Sequence, residues 1–154
     1  MQTDSSISAD RLDRLAGVIL GTAVGDALGV PREGISRRRA QRLFGSSPLS
    51  HRFLFGRGMI SDDTEHTCMV GQALPRAPDD PRRFARSLGW HLRLWLLGLL
   101  AGIGRATLRS IVKLWLGFSP ERSGVWSAGN GPAMRSALLG VCLGQDREQL
   151  RSYV

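Results

Sequence analysis

SDDTEHTCMVGQAL, residues 61–74, carries two signals at once. Read locally, it is the start of a helix. Ser, Thr and Asp are favoured N-cap residues, and Asp62 to Glu65 has the spacing of a capping box. Acids in a first helical turn also interact well with the helix dipole, by about 0.3–1 kcal/mol each. The helix stops before Pro75. Yet a cap needs only one or two such groups. Neighbouring aspartates beside a hydroxyl offer several hard oxygens to one point, the donor set that Mg²⁺ or Ca²⁺ prefers. Both readings stay open on this stretch alone. His66, one turn in, reads as packing or surface before it reads as a ligand.

Outward from this stretch the helical period continues. Asp10 caps a helix predicted to start at Arg11, with Leu12, Leu15, Ala16, Ile19, Leu20, Ala23 and Val24 at helical spacing, ending at Val30-Pro31. Residues 1–9 read as a disordered tail and residues 10–154 as one domain. Gly17, Gly21, Gly25 and Gly29 form a stripe on the first helix, which costs about 1 kcal/mol per glycine relative to alanine. That cost is reasonable if another helix or a ligand comes close. ISRRRAQRLFG predicts a short basic helix, and SSPLSHRFLFGRGM a loop with a brief extended piece. Asp79-Asp80-Pro81 opens a helix through FARSLGWHLRLWLLG, and RATLRSIVKLWLGF, PAMRSALLGVCLG and DREQLRSYV supply three more. With no convincing strand pattern, the fold class is all-α.

The chain has 154 residues, a net charge of +8 and a single lysine, Lys113. Arginine-rich composition fits phosphate recognition or base composition in the gene, and the arginines read as spread along the chain. Cys68 and Cys142 make no metal-like spacing, so a disulfide framework is not expected and a reducing cytoplasm fits. The N-terminus lacks the layout of a signal peptide. The longest apolar run, LWLLGLLAGIG at 94–104, is too short for a bilayer and reads as a buried helix. No membrane partner is expected. A nucleic-acid partner also ranks low, because SRRRAQR has no aromatic interleaving.

Three further groups stand out. Glu33 lies in VPREG, between proline and glycine, on the kind of held loop where catalytic carboxylates occur. Asp26 sits on an apolar helical stretch and needs a partner, as a backbone cap or as support for a metal site. In SAGNGPAMR, Gly129 and Gly131 allow close approach, Pro132 suits a first helical position, and free N–H groups there suit phosphate.

GTAVGDALGVPRE with Glu33, SDDT at 61–64 and GNGPAMR at 129–135, in this order, resemble the motifs of the ADP-ribosylglycohydrolase family, dinitrogenase-reductase-activating type. The resemblance implies an all-α fold, a binuclear Mg²⁺ centre, and hydrolysis of the bond between ADP-ribose and an acceptor. The partner would be an ADP-ribosylated protein or a small ADP-ribosyl compound. It further implies Ser61, Asp62 and Asp63 as metal ligands and Glu33 as the catalytic acid/base. Ser127, Gly129, Asn130 and Gly131 would bind the substrate. Serine replaces threonine at Ser61, and the family's second metal motif, Asp-x-Asp-[ST], is absent from the 154 residues. The chain therefore reads as an N-terminal half, truncated and with little activity alone. A binding module for ADP-ribose and a hydrolase of another ribosyl substrate are the alternatives.

Overall fold

In a computed structural model the chain is described at residues 3–98, 103–129 and 131–154. Eight α-helices follow in order: α1 Thr3–Gly29, α2 Arg37–Phe44, α3 Asp62–Ala73, α4 Pro81–Leu97, α5 Arg105–Trp115, α6 Pro120–Ser123, α7 Gly131–Leu143 and α8 Arg147–Tyr153. No strand occurs among the described residues. Three boundaries differ from expectation. Helix α1 begins at Thr3, within the predicted tail, because nothing before Asp10 interrupts the helical run. The predicted extended piece is instead a single 3-10 turn, Leu54–Gly56. The turn-rich loop after Phe118 carries the short helix α6, opened by Pro120.

Helix α3 is the centre of the packing, with α1, α4 and α7 around it. It buries Met69, Val70 and Ala73 and three polar residues, Thr64, His66 and Thr67. Val70, Ala73 and Leu74 meet Phe84 of α4, Leu138, Leu139 and Leu143 of α7, and Tyr153 of α8. A second cluster joins Met69 to Leu92 of α4 and to Ile111 and Leu114 of α5. Polar ties fix the register. Thr67 Oγ1 lies 2.8 Å from Asp63 O and 2.9 Å from Met134 O, bridging α3 and α7. Tyr153 Oη donates to Ala77 O at 2.8 Å. Asp80 and Asp146 cap α4 and α8 through N–H groups of Arg83 and of Glu148 and Gln149.

Much of the apolar surface stays uncovered. The accessible surface is 11,153 Å², against about 7,700 Å² expected of a compact chain of 16.8 kDa. Trp90, Leu94 and Leu97 on α4, Leu108, Val112 and Trp115 on α5, and Leu116 just after it, are exposed. The run at 94–104 is thus not one buried helix: α4 ends at Leu97 and residues 99–102 lie outside the described residues. By length and composition, Ala9–Arg32 is the one described helical stretch long and apolar enough to cross a bilayer. It belongs to α1, which packs on α3 and α7. Nothing comes within 4 Å of a methyl group built at Gly17, Gly21, Gly25 or Gly29. The expected close helix neighbour is therefore not among the described residues.

His66 is the least comfortable group in the interior. It is 0% exposed. Neither ring nitrogen has a hydrogen-bond partner among the described residues. The ring meets Trp95 edge to face, 4.4 Å between centroids. Burial, and then the charge of Arg135, push its imidazole from 6.5 down to about 4. Between these values the unfolded chain takes up a proton that the folded chain refuses, so stability falls as pH falls through this window. The total is about 3 kcal/mol. In denaturant titrations of wild type and His66→Phe, the difference should stay flat above pH 6.5 and shift by about that amount in favour of the variant by pH 4. Parallel curves throughout would show that His66 is not the group responsible.

Candidate active site

The end of α1 and the starts of α3, α5 and α7 converge on a cavity of about 700 Å³, the size of a small-molecule site. Each wall has a sequence cause. Pro31 stops α1 from continuing, and the Val30–Arg32 turn delivers Glu33 in extended conformation at φ −65°, ψ 141°. Ser61, also extended, starts α3 and sets Asp62 and Asp63 in its first turn. Gly104 begins α5 without a side-chain cap, beside Arg105, Thr107 and Ser110 on the cavity wall. Ser127 Oγ accepts the N–H of Gly129 at 3.0 Å, folding the loop before α7.

One carboxylate organises the acidic wall. Asp26 Oδ2 accepts the Ser61 N–H at 2.7 Å, the Thr64 N–H at 3.2 Å and the Thr64 hydroxyl at 2.5 Å. Its Oδ1 accepts the Ser61 hydroxyl at 2.7 Å. Burial pushes this carboxyl up, but the bonds from Thr64 and Ser61 outweigh it and hold it below 3.8. Asp26, 35 residues upstream of Ser61, is thus the main cap of α3. Ser61 Oγ adds only a long bond from Asp63 N, 3.4 Å. The predicted Asp62–Glu65 box does not form, because Glu65 Oε2 accepts the Trp95 indole N–H at 2.5 Å instead. With the cap supplied from α1, the side chains of Asp62 and Asp63 accept no hydrogen bond and form no ion pair among the described residues.

The freed acids crowd each other. Burial, then Asp62, Asp63 and Asp26, raise Glu33 above 4.5. Burial, then Asp62 and Asp26, raise Asp63 above 3.8. Three arginines line the same cavity. Arg135, whose Nε donates to Gly131 O at 3.0 Å, lines the cavity with Arg32 and Arg105. Burial pushes Arg135 down while the charge of Asp62 opposes the shift.

Of the residues singled out from the sequence, Glu33, Ser61, Asp62, Asp63, Ser127, Gly129 and Gly131 all line this cavity. Asn130 lies outside the described residues. Sequence reasoning missed Arg32, Arg105, Thr107, Ser110 and Arg135 as wall residues. Arg135 stood inside the GNGPAMR motif and was the readable one. The α5 residues carried no local signal.

A helical scaffold thus gathers carboxylates, glycine-flanked backbone and arginines around one cavity. The chain belongs to the ADP-ribosylglycohydrolase family, whose profile matches residues 7–154. It is also similar to an uncharacterized protein of Archaeoglobus fulgidus, 34% identical over 137 residues, which is 84% of this chain and 43% of that protein. The chain thus spans less than half the length of this curated relative. No solved structure matches it.

The donor chemistry suits a divalent ion in kind and falls short in number. Asp62, Asp63 and the Ser61 hydroxyl are hard oxygen donors, and two uncompensated carboxylates side by side are stabilised by a cation. Among the described residues, no three His, Cys, Asp or Glu side chains are placed to hold an ion together. For a divalent ion these residues would furnish part of a coordination shell.

Replacing Asp26 by alanine removes an acceptor for four donors and leaves the buried Thr64 hydroxyl without its acceptor. The expected loss is about 2 kcal/mol in denaturant titration at neutral pH. The lowered carboxyl also fixes the sign in acid: the wild-type advantage is present above pH 3.8 and fades as pH falls through the depressed value. An Asp26→Ala chain as stable as wild type at pH 7 contradicts the capping role.

Proposed function

We propose that this cavity serves hydrolysis of the glycosidic bond between ADP-ribose and an acceptor. What supports the reading is one observation: Glu33, Asp62, Asp63 and the Ser127–Gly131 loop line the same cavity in a chain of this family. Asp62 and Asp63, with Ser61, are the proposed Mg²⁺ ligands. When bound, the metal supplies a Lewis acid that orients ribose hydroxyls and readies a water. Glu33 handles the proton. Its raised carboxyl keeps a proton to higher pH than an ordinary glutamate, which suits donation to the leaving group. The N–H groups at the start of α7 and the Arg135 guanidinium suit the diphosphate. Asp26 holds the α3 start in place. ADP-ribosylated protein or a small ADP-ribosyl compound is the proposed substrate, and the cytoplasm, in keeping with two free thiols, the proposed compartment.

The partial metal shell favours a second reading for the 154 residues by themselves: ADP-ribose binding with little turnover. Calorimetry should detect ADP-ribose binding to this chain. Glu33→Gln should leave that binding intact, and Asp62→Ala should remove its Mg²⁺-dependent part. Release of ADP-ribose from an ADP-ribosylated substrate should stay near background. Robust Mg²⁺-dependent release would overturn the partial-shell reading, and release that survives Glu33→Gln unchanged would overturn the role of Glu33.

A further inference from the structure

The charge is less evenly spread than the arginine count alone implies. Residues 30–60 hold seven arginines against one carboxylate, Glu33, a net of +6 out of the chain's +8. Four of the seven, Arg37, Arg38, Arg39 and Arg42, sit on α2. All four are exposed. Among the described residues the sole ion pair of the chain is Arg14–Asp10, so none of these arginines is paired there.

Helix α2 runs against its own electrostatics. A helix start carries partial positive charge and favours acids. Here three consecutive arginines occupy the first turn and no acid does. The helix buries no residue in return. An anion bound outside the helix relieves what nothing among the described residues relieves.

The neighbouring loop adds what the basic helix lacks. RFLFGR, residues 52–57, sets two phenylalanines between two arginines. Phe55 is 92% exposed and sits at φ 55°, ψ 34°, a left-handed conformation costing roughly 1–2 kcal/mol in a bulky residue. Backbone bonds hold it there, Phe53 N to Arg57 O at 3.0 Å and Gly56 N to Phe53 O at 3.1 Å. An aromatic ring kept strained and wet, between Arg52 and Arg57 in the sequence, is shaped by something other than stability. The loop is seated on α1, since a methyl group built at Gly58 comes within 2.9 Å of Ala27 Cβ. It also joins the cavity wall: the guanidiniums of Arg32 and Arg52 both lie over the Phe44 ring, 4.5 and 5.2 Å from its centroid.

We propose that α2 and the 52–57 loop form a docking surface for single-stranded nucleic acid, with the α2 arginines on phosphates and Phe55 stacking on a base. Guanidiniums fork onto phosphate oxygens, and aromatic rings between cations are the usual platform for unpaired bases. An acidic polypeptide satisfies the arginines but gives Phe55 nothing flat to stack on. The sequence ranked nucleic acid low for want of aromatic interleaving. The fold supplies it from a loop beyond SRRRAQR.

The test is fluorescence anisotropy of the 154-residue chain with a labelled single-stranded oligonucleotide across a salt series. Changing Arg37, Arg38, Arg39 and Arg42 together to alanine should flatten the log–log salt slope, by about 0.7 for each phosphate that is no longer neutralised. Phe55→Gly should weaken binding about tenfold with the slope unchanged. Glycine accepts the left-handed conformation, so this variant should hold or raise the melting temperature, which distinguishes a missing stack from a failure to fold. Arg82, Arg83 and Arg86, exposed on α4, changed together to alanine should leave binding within about twofold, given that exposed sites away from the docking surface matter little. Equal weakening by the α4 triple variant, unchanged binding by Phe55→Gly, or equal displacement by polyglutamate each overturns the proposal. Only binding is read, so the result stands or falls independently of hydrolysis.

Discussion

The carboxylate of Asp26 at the start of α3 is the contact on which the rest of the molecule depends. A helix that begins inside a bundle exposes several N–H groups, and each must find an acceptor. A local cap takes those acceptors from the residues beside it. Here α1 reaches across 35 positions to supply them. The gain is chemical. Asp62 and Asp63, which would otherwise serve as the acceptors, face the cavity without hydrogen bonds among the described residues. The same contact fixes the angle of α1 against α3, and so the place from which Glu33 is delivered four residues after Gly29.

How legible this was from the sequence depended on the range of each cause. Helix α4 begins where Asp79-Asp80-Pro81 predicts, because the Asp80 cap acts within three residues of itself. The acids of the site were readable for the same reason: they are adjacent in the chain. What escaped was set by distant partners. Glu65 has capping-box spacing, but the Trp95 indole, 30 residues away, takes its carboxylate. The α5 wall of the cavity, Thr107 and Ser110, looks like any helix surface until α7 is packed beside it, with Thr107 Oγ1 3.5 Å from a methyl group built at Gly131. His66 was read as packing or surface, and it is buried. Its edge-to-face contact with Trp95 is one that no local pattern encodes.

Under-burial and the small number of hard donors beside Asp62 and Asp63 are related. Stability and preorganisation both come from surrounding a group on all sides. The outward stripes of α4 and α5 lack neighbours among the described residues, as do the glycines of α1. Gly25 and Gly29 border the cavity, so the unoccupied space along α1 runs into the site itself. Mg²⁺ dehydrates reluctantly and demands near-octahedral donors, and a site open along one flank holds it loosely. The interior that does close, around α3 and α7, has a different role. It positions the acids and the loop relative to each other, which requires rigidity but not full enclosure.

The distribution of sign within the cavity is the remaining constraint. For the proposed reaction the ligand is a diphosphate at one end and, at the reacting carbon, a centre that gains positive charge. A uniformly basic cavity suits the first and penalises the second, and a uniformly acidic one does the reverse. Two unit charges 4 Å apart near a protein surface interact by about 4 kcal/mol, so misplacing either sign is costly. Here Glu33, Asp62 and Asp63 share a wall while Arg105 and Arg135 come from α5 and α7. The acids raise one another's pKa, and Asp62 also acts on Arg135, opposing the downward push of burial on that guanidinium. Acids and arginines thus meet in one cavity, with Asp62 and Asp63 gathered at the start of the central helix that Asp26 caps.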